Sequence, residues 1–408
     1  MAKEKNAAKA KSPAKAKNSA KAPAKGPAKA AADRGPKSPA VVVLAAGKGT
    51  RMKSDLPKVL RPVMGRPIIT HVLNAARYLA PARLVVVTGH GAEAVEREIA
   101  PFGPICLRQE VPRGTGDAVR VAAEGLEGFD GPVVILPGDV PLISPQTLLD
   151  LLDAHAALGR LISVLTVRLA DPASYGRVIR DKNGWLERIV EARDANDEEL
   201  SIDEINSGVY VADCATLIEN VFNLKPDNAQ NEYYLTDVVA EFRAKGHLAA
   251  AIQGPDPLEV QGVNDCRELA RAQAILRGRI NESWLLAGVA MDDPATTHIE
   301  ASVKIGRDVT LGPGVVMTGN TKVGAGASLG PYCCLRNAEV APGTILPPHR
   351  YFSDAFVDSK SIDLAGDAPK KTTKSSLGAG SGGPADRKPA KPATAKATGS
   401  VAKKPRHK

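Results

Sequence analysis

The chain has 408 residues, a formal net charge of +9, five cysteines and seven histidines. It holds no run of about 18 apolar residues, which argues against a transmembrane helix, and its N-terminus lacks the apolar core of a signal peptide. The cysteines are odd in number with no Cys-x-x-Cys pair, and no two histidines stand at metal-ligand spacing. A disulfide framework and thiol or imidazole catalysis therefore have no support, and a reducing cytoplasm is expected.

Charge divides the chain into three parts. Residues 1–39 are nearly all Ala, Lys and Pro, with 11 Lys and Arg against 2 acids, and residues 360–408 hold 12 against 3. Each stretch carries +9, so the 320 residues between them carry −9 within the whole-chain +9. Segments with so little apolar surface cannot offset chain entropy, and the expected boundaries of the basic, disordered tails are 1–39 and 351–408. Such tails suit nonspecific, salt-sensitive polyanion binding or serve as solubilising extensions. They carry no aromatic residue on which a base could stack.

From residue 40 the pattern alternates strand and helix. The apolar run Val41–Val43 feeds Leu44-Ala45-Ala46-Gly47-Lys48-Gly49-Thr50-Arg51-Met52, and Leu56-Pro57-Lys58 follows. Gly47 and Gly49 let the backbone approach a ligand and present N–H groups to phosphate, while Arg51 and Lys58 add positive charge suited to a polyphosphate. Met52 stands where a dinucleotide fingerprint needs its third glycine, and the loop does not end in the Gly-Lys-Ser/Thr of a Walker A motif. The stretch resembles instead the LxxGxGTRM…PK signature of sugar-1-phosphate nucleotidyltransferases. Further on, Leu84–Val87, Val133–Leu136 and Ile162–Val167 read as buried strands, with helices over Ile68–Leu79 and Pro145–Ala157. The prediction is an α/β domain over 40–270 with a mostly parallel sheet, helices on both faces, and ligands at the carboxyl ends of the strands. Asp139 follows one of these strands in Gly138-Asp139-Val140-Pro141-Leu142, a setting for a magnesium-binding carboxylate.

Residues 271–297 read as a helical linker. Beyond it Ile299, Ile305, Leu311, Met317, Val323, Leu329 and Leu335 recur every six residues, with glycine directly after four of them. This hexapeptide pattern predicts a short left-handed parallel β-helix over 298–350, about three coils deep at ~18 residues per coil. Pro347-Pro348 ends the pattern.

Several segments together resemble the uridylyltransferase domain of the bifunctional N-acetylglucosamine-1-phosphate uridylyltransferase/glucosamine-1-phosphate acetyltransferase family. They are Gln109-Glu-Val-Pro-Arg-Gly114-Thr115-Gly116, Tyr175-Gly176-Arg177, Ile189-Val190-Glu191, Glu204-Ile205-Asn206-Ser207-Gly208, Asn231 through Asp237, Gly262-Val263-Asn264, and Leu285 through Pro294. The resemblance implies a Rossmann-like nucleotidyltransferase fold that joins UTP to N-acetylglucosamine 1-phosphate with release of pyrophosphate. It implies Mg2+ on Asp139 and Asn264, and charge stabilisation by Arg51 and Lys58. It further implies nucleotide contacts from Leu44, Ala45, Ala46, Gly47, Gln109, Gly114 and Thr115, and sugar contacts from Gly176, Glu191 and Asn206. A homotrimer built through the β-helix is its implied assembly, and no counterpart of the acetyltransferase half follows residue 350. Three residues depart from the family pattern: Pro137 for a usual tyrosine, Arg193 for lysine, and Ser207 for threonine. They keep glucose 1-phosphate and N-acetylgalactosamine 1-phosphate open as substrates. An acetyltransferase and a nucleic-acid-associated protein are the readings from other classes.

Overall fold

The computed structural model describes residues 38–359. The expected disorder of residues 1–37 and 360–408 lies outside this range. A nine-stranded sheet organises the first part: β1 Ala40–Ala45, β2 Arg83–Thr88, β3 Ile105–Arg108, β4 Pro132–Pro137, β5 Ile162–Arg168, β6 Arg177–Arg180, β7 Leu186–Val190, β8 Glu204–Asp213 and β9 Ala249–Gln253, in the order β3-β2-β1-β4-β8-β5-β9-β7-β6. The first four strands pair in parallel, as expected. β8 and β7 enter antiparallel to their neighbours, so the parallel character holds for one half of the sheet and is broken in the other.

Period-two alternation explains why the strands read as continuous apolar runs. Val42 belongs to the core that also holds Val119 of α3 (Thr115–Ala122), Leu217 of α5 (Cys214–Val221) and Phe242 of α6 (Asp237–Ala244). Val41 and Val43 belong to the core on the opposite face, with Val72 of α1 (Ile68–Arg77), Val95 of α2 (Ala92–Ile99) and Leu148 of α4 (Pro145–Leu158). With both faces covered, every residue of the run must be apolar.

Helix α7, Cys266–Leu286, begins five residues before the expected linker and is capped by Asp265, whose carboxylate accepts from the N–H groups of Arg267 and Glu268. Leu269 and Leu276 pack on Met52, Met64 and Leu142, while Trp284 packs on the next element and Ile280 touches both. Asn281 is buried and donates to the carbonyls of Pro294 and Thr297. One helix thus joins the two parts into a single compact unit.

That next element is a triangular prism of three parallel four-stranded sheets, the left-handed β-helix expected from the repeats. It differs from expectation in depth and in end. There are four layers rather than three, starting at Ala290–Met291 and ending at Phe356–Val357. Residues 351–358, read from sequence as tail, form the last two strands. The physical cause is a slip of phase: after Leu335 the inward residues are Val340, Leu346, Phe352 and Val357, at intervals of five, six, six and five, so strict six-residue counting loses them. The glycines after the inward residues also have a reason. A Cβ on Gly306 would lie 2.5 Å from the main-chain nitrogen of Ala325 in the next coil, and one on Gly324 would lie 2.4 Å from that of Pro342. Leu335 is fully buried in the prism, so Leu335→Ala is expected to cost about 2–5 kcal/mol in urea unfolding.

Candidate active site

The site is built where β1 and β4 end side by side. Gly138 N–H donates to the Leu44 carbonyl at 2.9 Å, and a Cβ there would stand 2.8 Å from that same oxygen. Glycine therefore permits the close approach that sets Asp139 beside the loop after β1. That loop turns through Gly49 at φ +58° into a single 3-10 turn, Thr50–Met52.

Lys58 Nζ donates to Asp139 Oδ2 at 2.5 Å and to Asn264 Oδ1 at 3.0 Å. Asp139 and Asn264 come from different loops, joined by Val263 N–H on the Asp139 carbonyl at 2.9 Å. Asn264 is held in turn by its own N–H on Glu268 Oε2 at 2.6 Å. Two oxygens thus converge on one cationic centre, and hard oxygen donors of this kind suit a divalent ion that takes its remaining ligands from phosphate and water. Among the described residues no cluster of three His, Cys, Asp or Glu side chains could hold a metal by itself.

A cleft of about 570 Å³ runs from this point. Leu44, Ala45, Ala46, Gly47, Lys58, Gln109, Gly114, Thr115, Asp139, Glu191 and Asn206 all line it. A hollow of about 560 Å³ shares Ala46, Lys48, Gln109 and Pro112 with it but contains neither Lys58 nor Asp139. Gly176 stands behind the wall, its carbonyl accepting from Asn206 N–H at 2.9 Å, and a Cβ on it would approach Glu191 Oε1 to 3.5 Å. Asn264 reaches the cleft only through Lys58. Arg51 is exposed and does not line the cleft, although its charge acts on the Tyr175 hydroxyl as that of Asp139 does.

At one end Gln109 is buried, and its amide nitrogen donates to the Gly114 carbonyl and to Asp117 Oδ2. Both of its donors are thereby used, which leaves Oε1 to accept from a ligand. Thr115 Oγ1 accepts from Leu235 N–H, and Gly116 N–H donates to the Tyr233 carbonyl, so the segment after Asn231 is pinned across the cleft. At the other end the β8–β5 register breaks between Asn206 and Tyr210, and a bulge of this kind re-aims side chains. Asn206 Oδ1 accepts from Gly208 N–H, and its amide stands beside the Tyr210 hydroxyl. Ser207 turns away from the cleft, donating to the Leu165 carbonyl and accepting from Val209 N–H. Pro137 lines the cleft against Gly208, and Arg193 is exposed.

Three contributors were not singled out from sequence. Thr236 donates its hydroxyl to Glu191 Oε1 at 3.4 Å. Tyr175 accepts from Gly262 N–H at 3.4 Å. Tyr210 lines the cleft with a buried hydroxyl that has no well-aligned partner, the Asn206 amide being its near neighbour. The first two lie inside quoted motifs, but Tyr210 sits in an apolar strand that gives no polar signal.

Burial raises the Glu191 carboxyl above its ordinary range; the Thr236 hydroxyl opposes this, and the charges of Asp237 and Asp194 add to it. Asp237 is pushed up from 3.8 to about 6 by burial, then by Asp194 and Glu241. A carboxyl raised in the folded chain binds more protons there than in the unfolded chain. Its stabilising contribution is complete below about pH 4 and is lost as pH climbs through 6. Asp237→Asn is therefore expected to raise Tm relative to the parent at pH 7 and to flatten the fall in Tm between pH 4 and 7, read by calorimetry across that range.

Similarity to known proteins covers both parts of the chain. The family model described as a MobA-like NTP transferase domain matches residues 41–197, and the bacterial transferase hexapeptide (six repeats) matches residues 302–337. The bifunctional protein GlmU of Geobacter metallireducens is 45% identical over 308 residues, 75% of this chain and 63% of that protein. Its namesake in Geotalea uraniireducens is 42% identical over 319 residues, 78% of this chain and 70% of that protein. The chain thus spans a little under two thirds of some relatives and somewhat more of others. Among solved structures, apo UDP-glucose pyrophosphorylase matches 60% of this chain and 100% of its own at 19% identity, with a TM-score of 0.49. On the strength of the Geotalea relative, matched over more than two thirds of its length, the chain belongs to the GlmU family.

Proposed function

We propose that this chain joins UTP to N-acetylglucosamine 1-phosphate, forming UDP-N-acetylglucosamine and pyrophosphate. The observation that carries the reading is one cleft lined by a glycine loop, by Lys58 and Asp139, by a buried Gln109 and by Glu191 and Asn206, with Asn264 bonded to Lys58. Cationic groups suited to phosphate thus share one cavity with an acceptor suited to a uracil at one end and polar groups suited to a sugar at the other.

The chemistry is an in-line attack by a phosphate oxygen of the sugar phosphate on the α-phosphorus of UTP, with pyrophosphate as leaving group. No covalent enzyme intermediate is required, so catalysis rests on positioning and on charge neutralisation. Gln109 Oε1 accepts from the uracil N3–H, and the backbone of Gly114 and Thr115 completes the base contacts. Glu191 and Asn206, backed by Gly176 and Thr236, take the sugar hydroxyls and acetamido group. Lys58 and Arg51 neutralise phosphate charge, Arg51 by reaching in from its exposed position. Asp139 and Asn264 are the residues that hold Mg2+, which when bound draws charge off the phosphate oxygens.

The decisive experiment is pyrophosphate release with UTP, dTTP, CTP and GTP against N-acetylglucosamine, N-acetylgalactosamine and glucose 1-phosphates. UTP with N-acetylglucosamine 1-phosphate is expected to give the highest kcat/KM. Pro137 on the cleft wall is the reason the other sugars belong in the comparison. No release with any pair would overturn the reading. A trimer through the prism faces, working in the cytoplasm, completes the proposal. It is supported by Ile345, Tyr351 and Phe356, one exposed apolar residue on each face of the last coil. Sedimentation velocity tests the trimer.

A further inference from the structure

Lys58 stands in a place its phosphate role does not require. Its ammonium makes two hydrogen bonds, and both go to the residues that hold the cation, Asp139 Oδ2 at 2.5 Å and Asn264 Oδ1 at 3.0 Å. Its side chain is 12% exposed and that of Asp139 23%, so this is a half-sheltered ion pair and not a solvated surface contact. Gly49 lies against the root of the stem, where a Cβ on it would fall 2.6 Å from Lys58 Cβ. The donor set explains what the ammonium does there. Asp139 and Asn264 supply one negative charge on two loops, and an ammonium with three N–H groups ties both oxygens to one point while its third N–H remains for the cleft.

We propose that Lys58 is the positioning cation of the Asp139–Asn264 pair, holding the two oxygens together until nucleotide phosphates draw the ammonium away and a divalent cation takes its place. This rests on the reading of Asp139 and Asn264 as cation ligands. The consequence is an order of binding. An ammonium and a divalent ion on the same carboxylate oxygen repel one another, so the ion alone competes with Lys58 and binds weakly. Triphosphate oxygens offer the ammonium a better partner and offer the ion further ligands, so the two bind together.

The test is Mn2+ titration of the full chain, followed by the electron paramagnetic resonance signal of free Mn2+, for the parent, Lys58→Met, Lys58→Ala and Asp139→Asn. Without nucleotide, Lys58→Met is expected to bind Mn2+ at least about tenfold more tightly than the parent. With UTP present the order reverses, because the parent gains the ammonium–phosphate contact that the variant lacks. Lys58→Ala, with circular dichroism as a check of folding, repeats the result if the methionine variant misfolds. Equal or weaker Mn2+ binding by the folded Lys58 variants without nucleotide would overturn the proposal while leaving the cation site intact. Parent-like Mn2+ binding by Asp139→Asn would instead overturn the cation site itself.

Discussion

Asp139→Asn is expected to lower pyrophosphate release by about three orders of magnitude or more, with only a small change in Tm. Asparagine keeps the shape of the side chain and an oxygen for Lys58, but it removes the one negative charge in the pair. The loss falls on a step that depends on charge neutralisation at phosphate, so kcat should fall with kcat/KM and not through KM alone. The fold should tolerate the change. Asp139 keeps its main-chain bond from Val263 N–H, and the β1–β4 approach depends on Gly138 rather than on the carboxylate. A variant that retained activity within about tenfold of the parent would remove Asp139 from the reaction.

The sequence made parts of this architecture legible for physical reasons that differ element by element. β1, β2, β4 and β5 were readable because both faces of each are buried, so each carries a mostly apolar run, interrupted in β5 by the buried, hydrogen-bonded Ser163 and Thr166. The prism was readable as long as its inward residues kept step, and it became unreadable at Leu335–Val340, where one residue drops out of the count. The reversal of β8 was hidden because a buried strand has the same composition in either direction. Motif resemblance named many residues that line the cleft, along with Arg51, Gly176 and Asn264 that do not, and it carried no distances. Lys58 is 81 residues from Asp139 and 206 from Asn264, and only folding shows that all three share one hydrogen-bonded point. Ser207 shows the reverse limit. It lies within a segment that the resemblance assigns to sugar binding, yet its hydroxyl is spent on the backbone of β5 and β8, so the Thr-to-Ser departure touches the bulge beneath the cleft.

The two glycines of the first loop should behave oppositely, and Gly49→Ala should be the damaging change. A Cβ on Gly47 meets nothing within 4 Å, since the space around it is the cleft. Gly47→Ala should leave Tm unchanged and act through UTP binding, as a rise in KM. Gly49 has φ +58°, a conformation in which a Cβ costs about 1–2 kcal/mol. The new Cβ would also lie 2.6 Å from Lys58 Cβ, with Lys58 Cα and Cγ both at 3.6 Å. The neighbour is the root of the side chain and not its flexible end, so the Lys58 backbone itself must shift. Nζ then leaves a position that is fixed by bonds of 2.5 and 3.0 Å. Misplacement of a catalytic group by about 1 Å can cost about a hundredfold in rate, and kcat should fall by that order while KM for the sugar phosphate stays within about twofold. Steady-state kinetics on the two variants, with Tm measured alongside, separates the effects. A Gly49→Ala enzyme with kcat within about threefold of the parent would show that Lys58 need not be held where the loop puts it.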